Sequence, residues 1–169
     1  MNTTRYLIVG GGMTADAAAK AIREHDADGG IVLVGAEPHA PYKRPPLSKG
    51  LWSGGDEAKI WKKTEEVPGV DLRLGRRIVS LDLDARRATD DAGDEYAWEK
   101  LLLATGGTPR RLGGDEGDVV YFRTLDDFRL LHGRAGDGMR VAVVGGGFIG
   151  SELAAALVGK GATVSMTFP

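Results

Sequence analysis

Two glycine triplets constrain this chain more than any other feature. Gly10-Gly11-Gly12 and Gly145-Gly146-Gly147 each follow a short apolar run and precede an alanine-rich stretch. The run Tyr6-Leu7-Ile8-Val9 predicts a buried parallel strand. Good helix formers from Ala15 to Glu24, with Ala18, Ala21 and Ile22 on one stripe, predict a helix. Asp26 to Gly30 ends it, and Ile31-Val32-Leu33-Val34 predicts a second buried strand, which completes a βαβ unit. The same order returns in RVAVVGGGFIGSELAAALVGKGATVSMTF, with Gly145 lying 135 residues after Gly10. That separation is too large for a solenoid. It predicts two copies of one supersecondary unit in a single polypeptide.

The spacing inside each triplet gives the turns a chemical meaning. The first reads Gly10-x-Gly12-x-x-Ala15. Gly10 permits a tight turn out of the strand, Gly12 lets the backbone approach a diphosphate, and Ala15 keeps helix and strand close. The amides and the positive helix end then hold phosphate. Glu37 lies 22 residues past Ala15, where a carboxylate accepts hydrogen bonds from a ribose. Ala36 is the neighbouring alternative in register. The second turn, Gly145-x-Gly147-x-x-Gly150, carries all three glycines. Its expected acidic position falls near Phe168, so NADH and NADPH both stay open as its ligand.

Between the repeats, Pro38 to Leu51 is proline-rich and predicts irregular chain, with a short helix beginning near Lys49–Leu51. Short strands are expected at Leu72–Leu74, Ile78–Leu83, Arg86–Thr89, Tyr96–Trp98 and Leu101–Leu103. Asp90–Asp94 (DDAGD) forms a hairpin turn among them. Thr124–His132 reads as helix and Gly133–Gly138 as loop. A doubly wound sheet of only two strands leaves an exposed edge and little core, so the second unit is expected to belong to a longer protein.

The formal net charge of −2 gives no electrostatic reason to expect nucleic acid or anionic lipid as a partner. The chain has no cysteine, which excludes a thiolate metal site or a dithiol centre within it, and no other metal-ligand pattern stands out. No apolar run approaches membrane-spanning length and no signal-like segment precedes the first strand, so a cytoplasmic location is expected. His25, His39 and His132 have no partner pattern and read as surface or structural residues. Trp52 and Trp61 read as packing residues.

The strings IVGGGMTADAAAKAIRE, EPHAPYKRPPLSKGLW, LLLATGGTPRRL and VVGGGFIGSELAAAL together resemble the FAD-dependent pyridine-nucleotide oxidoreductases of the ferredoxin-reductase and apoptosis-inducing-factor type. The resemblance covers nearly the whole chain, and the PYKRPPLSK and ATGGTPR strings are more specific than either glycine turn. It implies an α/β fold: a Rossmann-like FAD-binding domain with a small antiparallel β-meander, followed by the start of a second Rossmann-like NAD(P)-binding domain. The implied spans are 1–122 for the first domain, 123–138 for a linker and 139–169 for the first βαβ unit of the second.

The same resemblance implies the site. Gly10, Gly12, Met13, Thr14 and Ala15 hold the FAD diphosphate and Glu37 its ribose. Arg44 and Lys49 lie beside the flavin, the lysine near N5. Val79 meets the adenine through its backbone, and Ala104, Thr105 and Gly106 line the cofactor. Gly145, Gly147, Phe148, Ile149, Gly150 and Glu152 belong to the nicotinamide side, with Glu152 paired to Lys49. An ammonium near N5 favours the negative charge that develops as flavin accepts hydride, so Lys49 and Glu152 are the candidate catalytic residues. The implied activity is hydride transfer from NADH or NADPH to FAD, with electrons passed to an acceptor such as an iron–sulfur protein. A flavin redox sensor or scaffold with slow turnover is the alternative. A homodimer is compatible with either.

Overall fold

The computed structural model describes residues 2–113 and 118–168. Met1, Pro169 and residues 114–117, which the expected domain spans include, lie outside them. The chain divides into two compact units, Met1–Lys43 with Trp61–Gly107, and Arg44–Ile60 with Thr108–Pro169.

The first unit is built on six strands: β1 (Asn2–Val9), β2 (Ile31–Gly35), β3 (Val70–Leu74), β4 (Ile78–Asp82), β5 (Arg87–Asp90) and β6 (Glu95–Leu103). They form one sheet in the order β3-β2-β1-β6-β5-β4. Pairing is parallel from β3 through β2 and β1 to β6, and antiparallel from β6 through β5 to β4. All five residues of β2 are buried, as a parallel strand covered on both faces requires. Leu7, Val9, Val32 and Val34 pack on one face with Tyr96 and Trp98. Ile8, Ile31 and Leu33 pack on the other with Ala15 and Ala19 of helix α1 (Met13–His25). Alanine at both helix positions leaves no bulk to hold helix and sheet apart.

Arg23 closes the end of α1. Its guanidinium donates to the carbonyls of Asp26, Ala27 and Gly29, in the helix end and the loop into β2, and to that of Pro68, just before β3.

The structure corrects two details of the strand assignment. Tyr96–Trp98 and Leu101–Leu103 are parts of one strand, β6, and β1 begins at Asn2 instead of Tyr6. The cause is shared: Asn2–Thr4 pair with Tyr96–Trp98, and Tyr6–Val9 pair with Lys100–Leu103. The polar pair Glu99-Lys100 interrupts the apolar pattern without interrupting the ladder. The antiparallel meander is thus an extension of the parallel sheet. At its turn, Asp90 accepts hydrogen bonds from the Ala92 and Asp94 amides and from the Tyr96 hydroxyl.

The second unit contains 3-10 turns at Pro45–Ser48 and Gly50–Ser53, then α2 (Leu125–Arg134), β7 (Arg140–Val144), α3 (Phe148–Gly159) and β8 (Thr163–Thr167). Strands β7 and β8 pair in parallel. Helix α2 lies within the span expected as a linker and runs through Gly133 to Arg134, two residues beyond the expected helix end. The Thr124 hydroxyl accepts from the Asp127 amide while the Asp127 carboxylate accepts from the Thr124 amide, a reciprocal cap that satisfies helix amides internally. The buried Trp52 donates its indole N–H to the Leu47 carbonyl at 2.7 Å. Its ring meets Phe128 and His132 edge-on, so Trp52 and His132 are packing residues.

Candidate functional site

The first glycine turn joins β1 to α1. Gly10 has φ +129°, and a Cβ there would lie 2.1 Å from the Ala104 carbonyl oxygen. The fold itself therefore requires glycine at this position. Gly12 differs: its φ is −100°, and a Cβ built on it would meet nothing within 4 Å. Neither backbone conformation nor packing asks for glycine there. Gly12 opens α1 with no side-chain cap, whereas α2 carries its own cap. A helix start that is uncapped, closely approachable and positive at its end has the properties of a phosphate site.

The expected residues of this half fall at the carboxyl ends of the strands, with one exception. Met13 and Thr14 are exposed on the first turn of α1 and Ala15 is buried beneath them. Ala104 follows β6, where its amide donates to Val9 at 2.7 Å; Thr105 and Gly106 follow it and are exposed. Glu37 follows β2, and its Oε2 accepts the Tyr42 hydroxyl at 2.5 Å. The Trp61 ring meets Tyr42 edge-on, so Trp61 packs beside this carboxylate. Val79 is the exception. It lies on β4, separated in the sheet from β1 by β5 and β6, where the ladder shifts register between Ile78 and Ser80. A bulge takes the backbone of such a residue out of regular pairing.

Sequence reasoning missed Asp16. It is 1% exposed in the first turn of α1. Lys20 lies 2.8 Å from its Oδ1 and Lys62 3.2 Å from its Oδ2, and Thr64 donates to Oδ1 at 2.8 Å. Burial pushes the Asp16 carboxyl pKa up, but the hydrogen bonds from Lys20, Thr64 and Lys62 outweigh it and hold the group below the ordinary carboxylate value. The two ammonium groups neutralise a charge that would otherwise oppose an anion at this helix end. The available signal was an acid in the first turn with a lysine four residues on. Lys62 and Thr64 gave no comparable sign.

In the second unit the turn between β7 and α3 repeats the design with one change. Gly145 has φ +114°, and a Cβ on Gly147 would meet nothing within 4 Å. A Cβ on Gly150 would lie 2.1 Å from the Gly145 carbonyl oxygen, so the third position cannot be alanine here as it is at Ala15. Helix α3 also opens without a side-chain cap. Phe148 is 89% exposed and Ile149 is exposed beside it.

Glu152, on α3, faces the 3-10 turns of the same unit. Its Oε1 lies 3.4 Å from Lys49 Nζ, and its Oε2 accepts the Ser48 hydroxyl at 2.7 Å. The Ser48 hydrogen bond holds the Glu152 carboxyl below its ordinary value, partial burial opposes this, and Lys49 adds to the lowering. Arg44 donates to the Arg123 carbonyl at 3.0 Å. Ser48 carried no signal beyond its place in the PPLSK string. Among the described residues no cluster of acidic or histidine side chains could hold a metal ion, and no helix is long and apolar enough to cross a membrane.

Residues 4–167 match the family model described as pyridine nucleotide-disulphide oxidoreductase. The chain belongs to this family. It is 40% identical over 176 residues to the ferredoxin–NAD(+) reductase component of an anthranilate 1,2-dioxygenase system from Burkholderia cepacia, covering 100% of this chain and 43% of that protein. It is 39% identical to a rubredoxin-NAD(+) reductase from Pseudomonas putida, covering 95% and 43%. The reductase in a covalent putidaredoxin reductase–putidaredoxin complex superposes with a TM-score of 0.89 at 28% identity, covering 98% of this chain and 42% of that one. The chain thus spans under half the length of the curated relatives it matches. Pyridine nucleotide-disulphide oxidoreductases of this reductase type use FAD and a nicotinamide nucleotide.

Proposed function

We propose that the protein holds FAD at the Gly10–Ala15 turn and NADH or NADPH at the Gly145–Gly150 turn. In this reading it is part of an oxidoreductase that moves reducing equivalents from the nicotinamide nucleotide to an electron carrier. The observation that carries the reading is the pair Gly12 and Gly147. Each is a glycine at an uncapped helix start that no contact in the fold demands, and a diphosphate lying against the backbone accounts for both. The span 1–122 is then the FAD-binding part, 139–169 the beginning of the nicotinamide-nucleotide part, and 123–138 the connection, itself partly helical.

The residues divide the work as follows. The first helix start binds the FAD diphosphate. Val79 offers backbone groups to the adenine, and Ala104–Gly106 line the cofactor where the chain leaves β6. Arg44 and Lys49 face the flavin. The cofactor supplies two-electron acceptance from the nicotinamide and one-electron delivery to an acceptor. Lys49 holds positive charge where the reduced ring gains negative charge, and Glu152 orients both Lys49 and the nicotinamide amide. Phe148 and Ile149 shield the nicotinamide side from water. The acceptor is an electron carrier such as an iron–sulfur protein of the ferredoxin type, in the cytoplasm, and the working protein is compatible with a homodimer.

Anaerobic titration of the FAD-loaded protein with NADH and then NADPH tests this. Bleaching of the flavin band by one of them supports the reading; an unchanged band with both overturns it. Lys49→Ala should keep the protein yellow and slow flavin reduction about 10- to 100-fold, the loss of one charge-stabilising contact. An unchanged single-turnover rate would remove Lys49 from the chemistry.

A further inference from the structure

Lys49 and Glu152 form the charged pair on which the proposed reaction turns, yet the shorter contact to Glu152 comes from a third residue. Ser48 Oγ donates to Oε2 at 2.7 Å while Lys49 Nζ lies 3.4 Å from Oε1. Consecutive residues of an extended chain point to opposite sides and would not reach one carboxylate. Here they do, because Ser48 ends one 3-10 turn and Lys49 stands at φ −125°, ψ −105° before the next.

That local shape is fixed from below. Leu47 is buried, its carbonyl accepts the Trp52 indole N–H, and the Lys49 amide donates to the Pro46 carbonyl. Ser48 is itself 8% exposed, so its hydroxyl has little freedom. The lysine side chain is 61% exposed, and an exposed ion pair alone holds a carboxylate weakly. A hydrogen bond to a charged acceptor from a buried donor is the stronger restraint.

We infer that Ser48 is a positioning residue for the nicotinamide site: it fixes the Glu152 carboxylate by one oxygen, so that the other is presented to Lys49 and to the nicotinamide amide. The inference rests on the reading of the second turn as a nicotinamide-nucleotide site. It also predicts a division among ligands. Ser48 matters for a nucleotide that carries the nicotinamide ring and not for one that lacks it.

The test uses isotope-labelled protein with excess FAD and follows the amides of Gly145–Gly150 during titration with NADH and, separately, with ADP-ribose. In Ser48→Ala the NADH affinity should fall about 10- to 100-fold, the loss of one hydrogen bond to a charged group, with ADP-ribose affinity unchanged. Ser48→Thr should restore NADH binding. The Glu152 side-chain carbon, titrated by pH in the same samples, should move to a higher midpoint in Ser48→Ala and return in Ser48→Thr. Equal weakening of both ligands, or no change in the NADH to ADP-ribose ratio, overturns the role of Ser48 and leaves the nucleotide site standing. No response of the turn amides to either nucleotide in the unmodified protein overturns the site, and the inference with it.

Discussion

Gly12→Val should weaken FAD binding by about 100-fold or more, an affinity loss of about 2.7 kcal/mol, while lowering apoprotein stability by no more than about 1 kcal/mol, the preference for glycine over valine at a helix N-cap. Both halves of this result follow from the same geometry. Gly12 sits at φ −100°, ψ −168°, a region in which a β-branched residue is comfortable. A Cβ there meets nothing within 4 Å, so the new side chain starts in open space and the fold loses only the N-cap preference for glycine. Loss of glycine also lowers the entropy of the unfolded chain, which slightly favours folding. The valine methyl groups instead occupy the space through which a diphosphate must approach the helix start. Thermal melting of the apoprotein and flavin fluorescence during titration check the two halves. Gly10 provides the contrast, because there a side chain strikes the Ala104 carbonyl before any ligand is involved. A yellow Gly12→Val protein would show that FAD does not bind at this turn.

Asp16→Ala should destabilise the protein by about 3 kcal/mol in urea unfolding. Removing one member of a buried charged cluster leaves the rest uncompensated. Here that means two ammonium groups drawn toward one point and the fully buried Thr64 hydroxyl deprived of its acceptor. The figure lies at the low end for such losses because Lys20 and Lys62 are 40% and 28% exposed and can turn to water. Asp16→Asn keeps an acceptor for Thr64 and should cost about half as much.

The same site has a pH signature. The Asp16 carboxyl is held below its unfolded value. Its stabilising effect is therefore complete above about pH 4, the unfolded carboxylate range, and fades as pH falls through the native value. In the Asn variant the unfolding free energy should depend less steeply on pH in that acid window. A slope equal to that of the unmodified protein would mean that Asp16 does not titrate as the contacts dictate.

Periodicity made most of the α/β framework legible. Both βαβ units were readable because their strands are continuous apolar runs and their helices are rich in alanine. Two things escaped it. Strand β6 was split because Glu99 and Lys100 broke an apolar pattern that the β1 ladder carries through, a tertiary effect overriding a local one. Ser48 escaped because its partner Glu152 lies 104 residues away; Asp16 escaped because the spacing to Lys20 is ordinary on any helix, while the Thr64 contact that marks it as buried lies 48 residues away. Glu152 and Lys49 were paired from the resemblance. The hydroxyl that holds Glu152 was visible only once the 3-10 turns were in place.

The contrast among the three helix starts has a thermodynamic consequence. Helix α2 satisfies its first amides with Thr124 and Asp127, whereas α1 and α3 begin on glycine without a side-chain acceptor, each forgoing about a few tenths of a kcal/mol relative to a capping side chain. Whatever anion settles there supplies the missing acceptors, so the native state gains stability in proportion to the logarithm of nucleotide concentration. Resistance to heat becomes a property of the cofactor supply as much as of the polypeptide.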